Sequence, residues 1–269
     1  MSGPDGGIVM KRIGLVAAGV AVFGFAGSVE AADLAAKVYT KAPAPIAAIY
    51  DWSGFYLGLN GGGGWSRKCW TNTSTLGGPT VPAFDEGCHD ATGGLVGGQV
   101  GYRWQSANWV FGVEGQGDWA NLKGSNLSLA SAPIFGFAAT NQSKIDGIGL
   151  ITGQVGYAWS SVLWYAKGGA AVAHDTYTGI LTVSSTAFDR GSETRWGGTI
   201  GTGLDFGFAP NWSVGVEYDH LFLGRRDLTL TSLLPPAGGP SRTDSIRQDV
   251  DMVTVRLNYR FGGPVVAKY

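Results

Sequence analysis

The side chains that could carry out chemistry in this sequence are few: 3 histidines, 2 cysteines and a modest set of charges. Cys69 and Cys88 match neither a C-x-x-C redox motif nor a zinc ligand set, and an even pair in an exported chain reads as one disulfide. The adjacent His89 allows a metal reading, which ranks behind the disulfide for want of further ligands at usable spacing. Gly61–Gly64 runs into Trp65-Ser66-Arg67 without the G-K-[ST] ending of a phosphate loop. Gly147-Ile148-Gly149 is not followed by glycine at Thr152, and no G-x-S-x-G elbow occurs. No catalytic, cofactor or metal site is therefore assigned.

The elements that hold these residues follow from composition and period. Of 269 residues, 14% are charged, where a soluble domain carries roughly 25%. Glycine is abundant, at 45 residues, and 12% of the chain is aromatic, a mixture foreign to collagen and to disordered linkers. The net charge of −1 gives no reason to expect a nucleic-acid partner. Lys11-Arg12 precedes the uncharged stretch Ile13–Gly27, which rises only about 22 Å and so falls short of a membrane span. This is the layout of a signal peptide over 1–31, cleaved after Ala31, with Met10 as a more natural start. Residues 32–50, with Lys41-Ala42-Pro43-Ala44-Pro45, read as a periplasmic linker, and 51–269 as the folded unit.

Past the linker the sequence alternates. Val253, Val255, Leu257, Tyr259 and Phe261 share one parity, and Thr254, Arg256, Asn258 and Arg260 the other. The same period of two marks strands at about 53–64, 95–104, 109–120, 144–159, 162–173, 195–208, 212–224 and 253–261. Short connections at 105–108, 160–161 and 209–211 alternate with long ones at about 65–94, 121–143, 174–193 and 225–245. Gly98-Gln99-Val100-Gly101-Tyr102 recurs as Gly153-Gln154-Val155-Gly156-Tyr157 before successive short turns. The pattern predicts an all-β, eight-stranded antiparallel up-and-down transmembrane barrel. Trp52, Trp109, Trp164, Trp212, Tyr259 and Phe261 form the expected girdle at the short turns, and Trp119, Trp196 and Phe222 the opposite one.

The polar parity supplies the expected lumen: Arg103, Lys167, Arg195, Arg256 and Arg260 against Glu114, Asp118, Asp146, Asp205, Glu217 and Asp219. An eight-stranded interior is just wide enough for side chains, so these charges should pair into a network that plugs it. A narrow polar pore for small solutes is the alternative. His174 and His220 lie near loop ends, His220 on the outward parity beside Asp219, and leave a rim hydrolase as a third class.

Ala32-Asp33-Leu34, Tyr39-Thr40-Lys41-Ala42-Pro43, Tyr50-Asp51-Trp52-Ser53-Gly54-Phe55-Tyr56 and the closing Leu257-Asn258-Tyr259-Arg260-Phe261-Gly262 carry a resemblance. The chain resembles the small outer-membrane β-barrel proteins of alphaproteobacteria, the outer membrane immunogenic protein or porin family, similar in architecture to the OmpA barrel domain. That resemblance implies a non-enzymatic surface protein of the bacterial outer membrane that supports envelope integrity and lies among outer-membrane lipid and lipopolysaccharide. It implies insertion by the barrel-assembly machinery, read from Tyr259 and Phe261, although eight residues follow Phe261. It also implies attachment of some members to peptidoglycan through a mature N-terminal Ala-Asp, which Ala32-Asp33 matches. In that frame Cys69 and Cys88 lie in the first long external loop, as a staple worth roughly 3 kcal/mol.

Overall fold

The computed structural model describes residues 50–262, so the expected signal peptide, nearly all of the linker with Ala32 and Asp33, and residues 263–269 lie outside the described residues. Eight antiparallel strands follow in order: β1 (Gly54–Thr75), β2 (Gly78–Ser106), β3 (Trp109–Leu127), β4 (Ala139–Trp159), β5 (Val162–Leu181), β6 (Thr186–Ala209), β7 (Trp212–Ser232) and β8 (Pro240–Phe261). Each pairs with the next, and β8 closes on β1 with Phe55 opposite Phe261 and Gly61 opposite Val255. Closure removes the strand edges between the two aromatic girdles, the condition for a sheet in hydrocarbon. All eight expected strands are present in the expected connectivity.

The alternation works as expected in the lower half. Leu57, Leu59, Val100, Val113, Ile151, Leu204, Val216 and Val255 point outward and exposed, while Asn60, Gln99, Glu114, Asp205, Glu217 and Arg256 point inward and buried. Trp104, Trp109, Trp159, Trp164 and Trp212 ring the short-turn end, and Trp65, Trp119, Trp196 and Phe222 ring the wall further up. Trp52 does not join the lower girdle. It is buried on Tyr50, ring centroids 4.5 Å apart, and the two floor the lumen beneath Arg103. Tyr50, expected as the last residue of the linker, is thus part of the barrel. Gly207 gives this floor its room, since a β-carbon there would overlap the ring of Tyr50, and Gly101 and Gly203 do the same for Tyr56 and Tyr165 above it.

The expected long loops are mostly strand. β1 and β2 stay paired past the upper girdle, with register shifts between Trp70 and Thr71 and between Asn72 and Ser74, and turn only at Leu76-Gly77. The connections at this end are just 76–77, 128–138 with a single π-helical turn over Ser131–Phe135, 182–185 and 233–239. The outward alternation fades above the girdle because the outer face there meets water rather than lipid. The backbone ladder and the inward packing continue regardless. A strand of 22 residues tilted in the usual way stands about 55 Å high against an apolar band of ~25 Å, so roughly half the barrel projects outward. Cys69 and Cys88 are disulfide-bonded as expected, but not in a loop: they face each other across the β1–β2 ladder, Cα atoms 4.1 Å apart.

Candidate functional site

Among the described residues the buried charged groups gather in the lumen, where they are stacked in layers. Lowest stands an ion-pair cluster. Arg256 of β8 reaches across to Glu114 of β3 and Glu217 of β7. Lys167 of β5 lies 2.7 Å from Glu217, 3.3 Å from Asp219 and 3.4 Å from Glu114. Tyr56 donates to Glu114 Oε2 and Tyr165 to Glu217 Oε2, each at 2.6 Å, and Arg103, 2.8 Å from Asp205, lies over both rings. Every member is buried, so each charge depends on its partners for the solvation that water would have given. Asp118 sits at the edge of this cluster and accepts from Gln116 at 2.9 Å.

Above it the lumen turns apolar. Leu95, Ala91, Ala120, Leu122, Ile145, Ile148, Leu150, Ala171, Ala173, Leu221, Leu223, Val250 and Met252 form one buried cluster contributed by six strands. On β1 the inward position is Gly64, whose added β-carbon would already press on Leu122 and Leu95. The expectation of a polar interior is therefore corrected: an apolar septum crosses it at the height of the upper aromatics. Sequence reasoning passed over it because its residues cluster where the expected strands end, and because Ile148 and Leu150 sit on a parity that is otherwise polar.

A second polar layer follows beyond the septum, built from residues that the sequence reading left in loops. Lys68 and Asp175, both fully buried, meet at 2.5 Å, and Gln248 bridges Asp175 and Tyr177. Arg195 belongs here and not to the lower cluster. It pairs with Glu193 and donates to the carbonyls of Gly224 on β7, at 3.4 Å, and Ile246 on β8, at 3.0 Å, bridging a stretch where β6 and β7 leave the ladder between Arg190 and Gly198. Highest is Arg242, which bonds Glu86 of β2 at 2.6 Å, Asn141 of β4 at 2.9 Å and Asp189 of β6 at 3.0 Å, with Asp244 3.3 Å away. One guanidinium thus gathers all four outer hairpins. Continuation of the inward parity through Asp189 on β6 and through Arg242 and Asp244 on β8 is the signal that could have found this cluster, whereas Glu86 reaches it through a bulge between Trp70 and Thr71 that reverses the parity of β2.

Three more expected positions shift. Asp146 is not in the lumen: a bulge between Ile145 and Gly147 turns it to the outer surface, where it pairs with Lys144 and accepts from Thr176. Arg260 lies at the bottom mouth, bound to the carbonyls of Ser53 and Pro210 and 3.5 Å from Asp51, apart from the lower cluster. His220 does point outward, but its partner is Asp251, at 2.7 Å, with Tyr218 on the same carboxylate oxygen. His89 turns inward, away from the disulfide, with both ring nitrogens engaged by Asn126 and Ser143. Among the described residues no group of three or more His, Cys, Asp or Glu could hold a metal ion.

A closed antiparallel barrel with an apolar belt, two aromatic girdles and paired internal charges is the form of an outer-membrane protein. The family model for the outer membrane protein beta-barrel domain matches residues 23–261. The chain belongs to that family. The 31 kDa outer-membrane immunogenic protein of Brucella melitensis biotype 1 is 30% identical over 250 residues, which is 88% of this chain and 95% of that protein. The 22 kDa outer membrane protein of Rhizobium leguminosarum bv. viciae is 29% identical over 191 residues, 70% of this chain and 72% of that protein. The crystal structure of OprG from Pseudomonas aeruginosa aligns with a TM-score of 0.45 at 12% identity, covering 80% of this chain and 98% of that one. This member of the outer-membrane barrel family resides in the bacterial outer membrane, which fixes its short turns as periplasmic and its long hairpins as external.

Two outcomes follow. Glu217→Gln removes one of the two carboxylates, with Glu114, that Arg256 and Lys167 share and should cost about 3 kcal/mol in equilibrium unfolding from lipid vesicles, whereas Asp146→Asn on the surface should stay within about 0.5 kcal/mol. In the external cluster, burial raises the Asp244 carboxyl from 3.8 to about 7 against the pull of Arg242, and the nearby charges of Glu86 and Asp189 add to the rise. The folded chain then holds a proton that the unfolded chain releases near its ordinary value, so this contribution is full below about pH 4 and is lost as pH rises through 7. Thermal unfolding should show that decline, and Asp244→Asn should flatten it.

Proposed function

We propose that the barrel acts as a closed structural surface protein of the outer membrane, supporting envelope integrity rather than passing solutes. One observation carries this reading: a buried apolar septum of Leu95, Leu122, Leu150, Leu221, Met252 and their neighbours stands between two buried ion-pair layers. The names of the relatives, an outer-membrane immunogenic protein and an outer membrane protein, are of the same kind. The partners in this reading are outer-membrane lipid and lipopolysaccharide around the belt, and the barrel-assembly machinery acting on the final strand with Tyr259 and Phe261. The barrel refolded into a planar bilayer should give no steady single-channel openings. Steady openings that vanish on changing Arg256 or Glu217 would overturn the reading in favour of the small-solute porin.

The same reading includes a tether to peptidoglycan through the amine of Ala32, followed by Asp33, with the Pro-containing segment before Tyr50 as its periplasmic arm. Its support is the sequence Ala31-Ala32-Asp33 after a signal-like stretch. Digested sacculi from cells making the protein should yield a muropeptide joined to Ala32, and the exclusive recovery of free Ala32 termini would remove the tether.

A further inference from the structure

The external ends of the hairpins have a composition unusual for a surface in water. Residues 73–84, 124–143, 176–188 and 228–241 contain no Asp, Glu, Lys, Arg or His at all. Each of the four ends instead presents aliphatic side chains to solvent: Leu76 at 81% and Val81 at 87% exposure on the first, Leu129 at 66% on the second, Val183 at 95% on the third, and Leu233 and Leu234 on the fourth. These residues stand about 11 positions beyond the upper aromatics, roughly 25–30 Å above the lipid band, where no hydrocarbon accounts for them.

Leu76 adds an independent observation. It opens the two-residue turn between β1 and β2 with a φ of 50°, followed by Gly77 at 79°. That left-handed pair favours Asn-Gly, since a leucine there suffers a steric cost that asparagine largely avoids. The cost is not offset inside the chain, because the side chain is exposed while its backbone amide is pinned to the carbonyl of Ser241 at 2.7 Å. A strained, exposed aliphatic residue at an apex points to a contact made outside the molecule.

We propose that this crown is a homotypic docking surface, on which a second copy of the chain seats tip to tip from an opposing membrane. The occupant follows from charge. Segments that enter a lipid surface join apolar residues to Lys or Arg that meet anionic headgroups, and these four ends carry none. A charged protein partner would find nothing to pair with. A second crown presents the same uncharged, apolar ends, so two of them approach without like-charge repulsion and bury what each leaves exposed. Two barrels in one membrane have parallel axes and cannot bring their crowns together, which places the contact between membranes. Arg242, by binding one strand from every hairpin, holds the four ends in fixed relation and lowers the entropy lost on contact.

The test uses the full barrel refolded into biotinylated phosphatidylcholine vesicles captured on beads, challenged with fluorescent vesicles that carry the protein or lack it. Many copies per vesicle act together, so retention of the protein-bearing vesicles should exceed that of bare vesicles by roughly a hundredfold. Asp substitutions at three solvent-exposed positions on two of the tips, Leu76→Asp, Val81→Asp and Val183→Asp combined, should abolish retention while heat-modifiable migration on gels shows the barrel intact. A milder set, Leu76→Asn with Val183→Thr, should weaken it. Equal retention of bare vesicles would assign the crown to a lipid surface and overturn the proposal. So would an absence of retention, or undiminished retention by the folded Asp variant.

Discussion

Eight strands enclose a space that side chains fill, and hydrocarbon outside the ring forbids an unpaired backbone amide. The internal arrangement follows from these two conditions. The wall must be a continuous ladder, so every second residue is sent inward whatever its chemistry. Polar residues on that parity cannot turn away, and charges among them lose water on folding. Arg256, Glu114, Glu217 and Lys167 come from four different strands and find one another because the centre of so narrow a ring is within reach of all of them. Tyr56 and Tyr165 supply hydroxyl donors to the carboxylates and aromatic faces to Arg103, so the cluster is solvated by the protein itself.

The septum sits where the outer face changes from hydrocarbon to interface. Trp65, Trp119 and Phe222 point outward from positions next to Gly64, Ala120 and Leu221, so the wall there is apolar on both sides. An apolar layer between two ionic ones separates their charges, so each set pairs within its own layer. Neither set could exchange partners without carrying a charge through the layer of Leu122, Leu150 and Met252, at a cost of several kcal/mol. The two ionic layers are therefore separate networks, each closed by pairs among its own strands.

The barrel was legible in the sequence wherever lipid touched it. Leu57 and Leu59, or Val253, Val255 and Leu257, alternate strictly because hydrocarbon on one face punishes any polar intruder. Above the upper aromatics that pressure ends. Thr71, Thr73 and Thr75 are as acceptable outside as Val, so strands that continue to Thr75 and back from Gly78 read as loops, and Lys68, Glu86, Asp189 and Arg242 lost their inward assignment with them. Asp146 failed for a different reason. Parity was carried across Ile145-Asp146-Gly147, where one extra residue reverses it, and a bulge of that kind leaves only a glycine as its trace. Cys69 and Cys88 were paired correctly from number and compartment, while their setting in a ladder depended on strands that the pattern did not show.

Why the ladder should run so far past the membrane is a question of what flexible loops would do in its place. A chain of similar length leaving the girdle without pairing would sample many conformations, and any contact it made would first have to order it, at roughly 1–2 kcal/mol per residue. Here that ordering is complete before any partner arrives. The disulfide fixes the first hairpin, Arg195 bridges the stretch where β6 and β7 part, and Arg242 binds Glu86, Asn141 and Asp189 from the other hairpins at one point. The binding groups are buried and charged, whereas the ends that they position are exposed and uncharged. Burying ions inside the projecting barrel is therefore what allows its outermost surface to do without them.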